Sequence, residues 1–199
     1  MTNKAVIFFP TTMLLKNNDH LCFLVCDLQP RIGARIAGID AVVANATKLL
    51  NAAKLCGRTA IVTEQYPSGL GSSYPAILEA CKSTTDNGGV CVVSKVTFSM
   101  LGGGGSIDLD LFNQFVLCGL ETHICVLQTA LELRERGKAV FIATDSTASG
   151  GDARQYDDAI ATLRQAGCVA LTTEALLFQL ISGKEDPLFK GIQRLVKDA

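Results

Sequence analysis

Three side chains that could together perform nucleophilic catalysis each follow an apolar run of the chain. Asp27 comes directly after LCFLVC, Lys95 directly after VCVVS, and Cys125 shortly after QFVLC. A carboxylate can move a proton, an ammonium group can stabilise negative charge, and a cysteine thiolate can attack a carbonyl carbon. If the fold brings the three together, the sequence predicts covalent catalysis by Cys125.

Cys125 differs in its context from the other seven cysteines. It is predicted to open a helix, where unsatisfied N–H groups and the positive end of the helix dipole favour a thiolate. The N–H groups of Ile124 and Cys125 could form an oxyanion hole there. Six others lie in predicted strands or on an apolar helix face and are interpreted as small buried hydrophobic side chains: Cys22, Cys26, Cys56, Cys91, Cys118 and Cys168. Cys81, outside the predicted elements, is interpreted in the same way.

Structural explanations compete with these roles. Asp27 fits equally well as the cap of the following turn, and a lysine that ends a strand is more often a solvated edge residue. His123 stands two positions before Cys125, but side chains two apart in the first turn of a helix diverge. We therefore interpret His123 as a surface or rim residue and not as a partner of Cys125.

Short apolar runs alternate with longer segments of helical period, which is typical of β-α-β units. Because the runs are apolar throughout, both faces of the resulting sheet should be covered by helices. The sequence thus predicts an α/β fold with a six-stranded parallel sheet. The predicted strands are 21–26, 59–63, 90–94, 114–118, 139–144 and 168–172, and the predicted helices are 40–56, 123–136, 152–166, 174–182 and 187–197.

In such a sheet ligands bind beyond the carboxyl ends of the strands, so the residues that follow each strand are the candidates for a site. Besides the three side chains above, these are Glu64, Gln65, Tyr66, the segment 121–125 and Asp145. Two long loops at strand ends, 64–72 and 96–106, are rich in glycine. The GGGG at 102–105 is predicted to be a flexible lid or connector, because it lacks the Lys-Ser/Thr of a phosphate loop.

Length and composition restrict the class of protein. The chain has 199 residues, 48% of them hydrophobic, so we expect one domain over 1–199 with an N-terminal arm at 1–19. A formal net charge of -1 offers no basic surplus to a nucleic acid or an anionic membrane. With two histidines and no CxxC pair, we expect no metal. The thiols are expected to be reduced and the location cytoplasmic, with a mitochondrial address left open.

Four motifs together resemble one known family. They are CDLQ at 26–29, TEQYPSGLG at 63–71, SKVTFSM at 94–100 and LCGLETHICVLQTALELRERG at 117–137. In these motifs the chain resembles the isochorismatase-like cysteine hydrolases, and most closely their isochorismatase domain-containing branch. The similarity runs from near His20 to FKGIQRLVK close to the C-terminus.

The resemblance implies a three-layer α/β/α sandwich, no cofactor, and a catalytic triad of Asp27, Lys95 and Cys125. In family members that act as amidases, the cysteine attacks the carbonyl or amide carbon. The aspartate takes and returns the proton, and the lysine keeps both charged and ordered. The resemblance also implies a cis peptide bond between Leu120 and Glu121, which would orient the N–H groups of the oxyanion hole.

The resemblance further implies a substrate pocket lined by Glu64, Gln65, Tyr66 and Phe98. Nicotinamidases of the family bind a metal through an Asp/His/His set in the loop after the second strand, whereas TEQYPSGLG supplies no histidine. True isochorismatases lack the cysteine and act on a vinyl ether. The sequence therefore departs from both and does not name its substrate.

Two hypotheses of different class follow. The first is a metal-independent cysteine hydrolase that acts on a small amide or related carbonyl compound through a thioester. The second is a non-enzymatic interaction module that retains the hydrolase fold, which would show neither turnover nor a covalent intermediate. Because the family forms homo-oligomers, we also expect a dimer or higher closed oligomer. The chain also has apolar segments in excess of one core, notably the N-terminal arm and Leu176, Leu177 and Leu180.

Overall fold

The structure is a computed structural model that describes residues 15–16, 18–82, 89–102 and 109–197. Its centre is a six-stranded sheet in the order β3-β2-β1-β4-β5-β6, in which all neighbouring strands are parallel. This confirms the predicted sheet. The strands are β1 (Leu21–Cys26), β2 (Thr59–Gln65), β3 (Val90–Lys95), β4 (Gln114–Leu120), β5 (Ala139–Ala148) and β6 (Val169–Leu171).

Helices cover both faces of the sheet, as the three-layer prediction requires. One layer contains α2, α4, α7 and α8, and the other contains α5 and α6. The α-helices are α1 (Pro30–Gly33), α2 (Ile39–Leu55), α3 (Pro67–Leu70), α4 (Pro75–Lys82), α5 (Leu127–Glu135), α6 (Ala153–Gln165), α7 (Thr173–Gln179) and α8 (Phe189–Lys197). Among the described residues, none of the helices is long and apolar enough to cross a membrane.

The central strand β1 explains why the runs are apolar throughout. All six of its residues are buried, and successive side chains point to opposite faces of the sheet. Phe23 packs into the core beneath α2, whereas Leu24 and Cys26 pack into the core beneath α5 and α6. A strand between two helical layers therefore needs an apolar side chain at nearly every position.

The structure corrects several predicted boundaries. The helix expected from 123 starts with one π-helical turn, Thr122–Val126, and becomes an α-helix only at Leu127. Helix α4 was not predicted, because it has only eight residues and buries only Ile77 and Ala80. Residues 1–14 and 17 of the predicted arm and 103–105 of the GGGG lie outside the described residues.

Asp145 does not follow its strand, since β5 continues to Ala148. Its carboxylate accepts hydrogen bonds from the backbone N–H and the hydroxyl of Thr173, both at 2.7 Å. These bonds tie Asp145 to the first turn of α7, so the structure gives this candidate a local structural role.

The three leucines counted as being in excess of one core are instead part of that core. Leu176, Leu177 and Leu180 are buried, because α7 packs against α2 and β5. The described apolar side chains that remain exposed include Val92 and Val96 at the edge strand β3, together with Phe98 just beyond it. The three leucines therefore no longer support the predicted oligomer.

Gly119 is the residue on which the contact between β4 and β1 depends. Its φ is +121°, and a Cβ at this position would overlap the backbone of Cys26 on the neighbouring strand. The pairing of β4 with β5 also shifts register between Leu117 and Gly119. Only glycine fits both the conformation and the space. The close approach places the start of the Cys125 turn beside the end of β1.

Candidate active site

The strand order brings Asp27 and Lys95 together at the carboxyl edge of the sheet. Asp27 follows β1 and Lys95 ends β3, with β2 between them. Lys95 Nζ lies 2.6 Å from Asp27 Oδ2, and the two side chains are 0% and 1% exposed. A buried charge destabilises a fold unless it is paired and hydrogen-bonded. Asp27 and Lys95 can therefore be buried at this position only together with their partners.

Lys95 has further oxygen partners around its ammonium group. Nζ donates to the side-chain oxygen of Gln65 at 2.6 Å and to the backbone carbonyls of Thr97 and Phe98 at 3.0 and 3.1 Å. The first segment of the loop after β3 thus wraps around the ammonium. This arrangement rules out the solvated edge lysine considered from the sequence.

Both carboxylate oxygens of Asp27 accept hydrogen bonds from neighbouring side chains. The Thr63 hydroxyl donates to Oδ1 at 2.7 Å, while Oδ2 accepts from Lys95 and from the Cys26 thiol, whose sulfur is 3.4 Å away. The backbone of Asp27 has a φ of +50°, a conformation that residues other than glycine rarely adopt outside functional or tightly constrained sites. This geometry fixes the direction of the carboxylate.

Cys125 lies within the π-helical turn that follows β4. Single π-turns occur frequently at functional sites because they re-aim a side chain within a helix. The carbonyl oxygen of Cys125 accepts from the Thr129 hydroxyl at 2.6 Å, and that hydroxyl in turn accepts from the N–H of Met100 at 3.0 Å. The loop after β3 is thereby attached to the turn that carries Cys125.

The Cys125 sulfur completes a compact group with two neighbours at the end of β1. The sulfurs of Cys26 and Cys125 and a carboxylate oxygen of Asp27 all lie within 4.8 Å of one another. Cys125 is 8% exposed, whereas Cys26 is fully buried. Access from outside therefore reaches the Cys125 sulfur first.

The surroundings lower the pKa of the Cys125 thiol. The main cause is the hydrogen-bonding interaction with the neighbouring Cys26 thiol, and the positive charge of Lys95 acts in the same direction. Burial raises the pKa, as do the charge and hydrogen bonding of Asp27, but these effects are the weaker ones in sum. By contrast, burial raises the pKa of the Cys26, Cys22 and Cys118 thiols. Cys125 is thus the thiol of this group that is disposed to ionise.

Comparison with known proteins agrees with this architecture. The sequence model of the isochorismatase domain matches residues 22–175. Isochorismatase domain-containing protein 2A of Mus musculus is 35% identical over 177 residues, which cover 87% of this chain and 81% of that protein. The chain belongs to the isochorismatase family. All further features of the site can therefore be compared with what the family resemblance implied.

Two solved structures show the same fold as this isochorismatase domain. One is the MAR1 ribonuclease from Caenorhabditis elegans, with a TM-score of 0.79, 32% identity, and coverage of 91% of this chain and 92% of that one. The other is the YcaC gene product of Escherichia coli, described as an octameric hydrolase of unknown specificity. It has a TM-score of 0.69 and 21% identity, and the match covers 85% of this chain and 82% of that one.

The cis peptide bond implied between Leu120 and Glu121 is absent from this isochorismatase domain. No cis bond occurs in the described parts of the chain. The chain turns away from the sheet through the positive φ of Gly119 and the register shift of β4, and Glu121 has φ −52° and ψ 113°. The turn thus forms with ordinary trans geometry, which avoids the cost of a cis bond before a residue other than proline.

Of the two N–H groups expected in the oxyanion hole, that of Ile124 already has a backbone partner. The Ile124 N–H donates to the carbonyl of Glu121 at 3.1 Å within the π-helical turn. It could bind an oxyanion only by sharing or leaving that bond. The Cys125 N–H therefore carries the oxyanion proposal for this isochorismatase domain.

Of the four implied pocket residues, Gln65 contacts Lys95 through its side chain, whereas Phe98 and Tyr66 contact it through their backbones. Glu64 is buried and accepts from the Ser73 N–H at 2.7 Å, so it fixes the loop after β2. Tyr66 and Phe98 are 55% and 54% exposed at the carboxyl edge of the sheet. They are available to line the entrance to the candidate site.

Sequence reasoning missed three residues that hold the site in place. Cys26 and Thr63 bind Asp27, and the Gln29 side chain bridges the backbone of Gln65 and the carbonyl of Gly71. The only available signal for Cys26 and Gln29 was their place in CDLQ. His123, interpreted as a rim residue, bonds through its ring to the Ser149 hydroxyl at 3.0 Å.

Cys26, Asp27 and Cys125 are also the described residues that could ligate a metal ion. The Lys95 ammonium group is paired with the Asp27 carboxylate, which such an ion would need as a ligand. A metal would therefore have to displace the ammonium from its four oxygen partners. The donor set fits a lysine-stabilised thiolate better than a metal centre.

Proposed function

We propose that this protein is a metal-independent cysteine hydrolase of small amides or related carbonyl compounds, with Cys125 as nucleophile. The observation that carries the proposal is the buried Asp27–Lys95 ion pair beside a thiol whose pKa is lowered. A nucleophile, a base and an adjacent positive charge are the groups that acyl transfer requires. Family membership supports a hydrolase at a coarser level.

In the first half of the reaction, Asp27 accepts the proton of the Cys125 thiol, and the thiolate attacks the carbonyl carbon. The new oxyanion faces the Cys125 N–H at the π-helical turn. The carbon–nitrogen bond then breaks, the amine leaves with the proton that Asp27 returns, and the acyl group remains on Cys125 as a thioester.

In the second half, water replaces the amine. Asp27, again a carboxylate, accepts a proton from water, and the resulting hydroxide attacks the thioester carbon. The carbon–sulfur bond breaks, the carboxylic acid product leaves, and the proton returns to the Cys125 sulfur. Lys95 takes no proton in this scheme. Its role is to hold the Asp27 carboxylate in place and to stabilise the thiolate.

Ribonuclease activity is the function that the name of the Caenorhabditis elegans protein suggests. The features of this chain support it less well than acyl transfer. Lys95, the cation among the described groups of the site, is buried and surrounded by oxygen atoms of the protein. The formal net charge of -1 does not favour a phosphate backbone. RNA is therefore a control substrate.

The test is a panel of primary amides, ureido compounds and small esters, with single-stranded RNA as a separate arm. We expect release of ammonia, amine or alcohol from a subset of the panel, together with an acyl adduct on Cys125 in acid-quenched samples. An interaction module would give neither turnover nor adduct. Cleavage of RNA without an adduct would replace the amide proposal by the nuclease one.

A further inference from the structure

Cys26 is a second thiol within the site that hydrolysis does not use as a nucleophile. It ends β1, is fully buried, and directs its sulfur to both Asp27 and Cys125. We propose that Cys26 is the resolving thiol of Cys125. A hydroperoxide oxidises Cys125 to a sulfenic acid, and Cys26 then condenses with it to a disulfide. The inference rests on the reactive Cys125 of the proposed function, but not on its substrate.

The first step takes place at the sulfur that a small oxidant can reach. The Cys125 thiolate attacks one oxygen of the hydroperoxide, the oxygen–oxygen bond breaks, and the departing alkoxide or hydroxide takes up a proton. The sulfur is oxidised to S–OH and the peroxide is reduced to an alcohol or water. Thiolate character and exposure determine which cysteine reacts, and Cys125 has both properties to a greater degree than its neighbour Cys26.

The second step needs a base at the Cys26 thiol, and Asp27 lies in that position. The Cys26 sulfur donates to Asp27 Oδ2 at 3.4 Å. As the Cys26 sulfur attacks the sulfenic sulfur, its proton passes to the carboxylate and then to the departing hydroxyl, which leaves as water. One sulfur–sulfur bond forms, and one sulfur–oxygen and one sulfur–hydrogen bond break. Asp27 ends as it began, a carboxylate paired with Lys95.

The geometry selects Cys26 over the other cysteines. The two sulfurs already lie within 4.8 Å, and they must approach to about 2.0 Å for a disulfide. Cys118 is close in the sheet, because it pairs with Val25 on β1, but its side chain packs into the core on the opposite face. Cys118 is therefore a matched control, equally buried and one strand away, yet separated from Cys125 by the sheet.

Disulfide formation would have two effects at this site. It removes the nucleophile, so the oxidised protein cannot form a thioester. It also prevents further oxidation of Cys125 to the sulfinic acid, which thiol reductants do not reverse. The pair is thus a reversible oxidative modification site, with a hydroperoxide as the oxidant and a small thiol as the reductant.

The experiment compares wild type, Cys26→Ser and Cys118→Ala after one equivalent of hydrogen peroxide, using intact mass and non-reducing peptide mapping. For wild type and Cys118→Ala we expect a loss of about 2 Da, a linked Cys26–Cys125 peptide, and thiols restored by dithiothreitol. For Cys26→Ser we expect a gain of about 16 or 32 Da on Cys125, without a disulfide.

Three results would overturn the inference. These are sulfenic or sulfinic acid on Cys125 of wild type without a disulfide, a disulfide that involves another cysteine, and no oxidation of Cys125 at all. Iodoacetamide labelling of the untreated protein shows whether only the disulfide inference is wrong or whether the proposed function is wrong as well. Preferential labelling of Cys125 without a disulfide refutes only the role of Cys26, whereas an unreactive Cys125 refutes both proposals.

Discussion

Replacing Cys125 by alanine is expected to reduce amide hydrolysis by at least about 10⁴-fold, because no other group can form the thioester. The fold should survive, since the side chain is small and lies at the edge of the core cluster around α5 and α6. The measurement is kcat/KM for the best substrate of the panel, with circular dichroism to confirm the fold.

Cys118→Ala is the matched control for this substitution. Cys118 is a buried thiol on β4, but its side chain faces the opposite core, and burial raises its pKa. We expect activity within about threefold of wild type once the loss of stability is taken into account. Hydrolysis that survives in Cys125→Ala would remove the nucleophile from the mechanism.

Replacing Lys95 by methionine is expected to lower the free energy of unfolding by about 3–5 kcal/mol, because it leaves the buried Asp27 carboxylate without its cation. It should also slow alkylation of Cys125 by at least about tenfold near pH 6.5, since the nearby carboxylate then disfavours a thiolate. Urea denaturation measures the first effect, and the initial rate of alkylation measures the second.

Two further variants separate these effects from general damage. Adding Asp27→Asn to Lys95→Met removes the unpaired charge and should recover part of the lost stability. Lys82→Met breaks an exposed ion pair with Glu79 and should leave both stability and alkylation unchanged. If Lys95→Met alone leaves the alkylation rate at the wild-type value, Lys95 and Cys125 do not act as one unit.

The centre of the sheet was predictable from the sequence because strands such as β1 and β4 are buried on both faces. A run such as LCFLVC has no polar side to be confused with an amphipathic helix, and each predicted strand overlaps an observed one. Asp27 could be proposed for the same reason, since a carboxylate that follows a buried strand must find a partner. Lys95 could be proposed because it ends a parallel strand at the same edge of the sheet. That strand β2 lies between Asp27 and Lys95 is known only from the observed order of the strands.

The contacts of Cys26 could not be predicted in this way. A cysteine within an apolar run is indistinguishable from a core residue, and its contact with Cys125 joins positions that are distant in sequence. The Thr63 hydroxyl is similar, because a threonine at the end of a strand has no signal that identifies its acceptor. These contacts arise only when β1, β2 and β4 are placed side by side.

Local backbone geometry accounts for the other differences. The π-helical turn at Thr122–Val126 has the sequence of an ordinary helix start, and its wide hydrogen bond, from the Val126 N–H to the Glu121 carbonyl, has no sequence signature. Leu176, Leu177 and Leu180 were counted as being in excess of one core because the sequence alone does not show that α7 packs against α2 and β5.

Competitive labelling of the eight thiols tests the central claim, that Cys125 is the ionised nucleophile of the site. The folded protein is treated briefly with iodoacetamide near pH 6.5, about two units below the pKa of a free thiol, and each cysteine is quantified by peptide mapping. Because the pKa of Cys125 is lowered, its thiolate persists below the range of a free thiol, and its labelling declines only as the pH falls through that lowered value. We predict that Cys125 is labelled well ahead of the other seven. Labelling that begins at any other cysteine, or a Cys125 that reacts only at the pH of a free thiol, would contradict this claim.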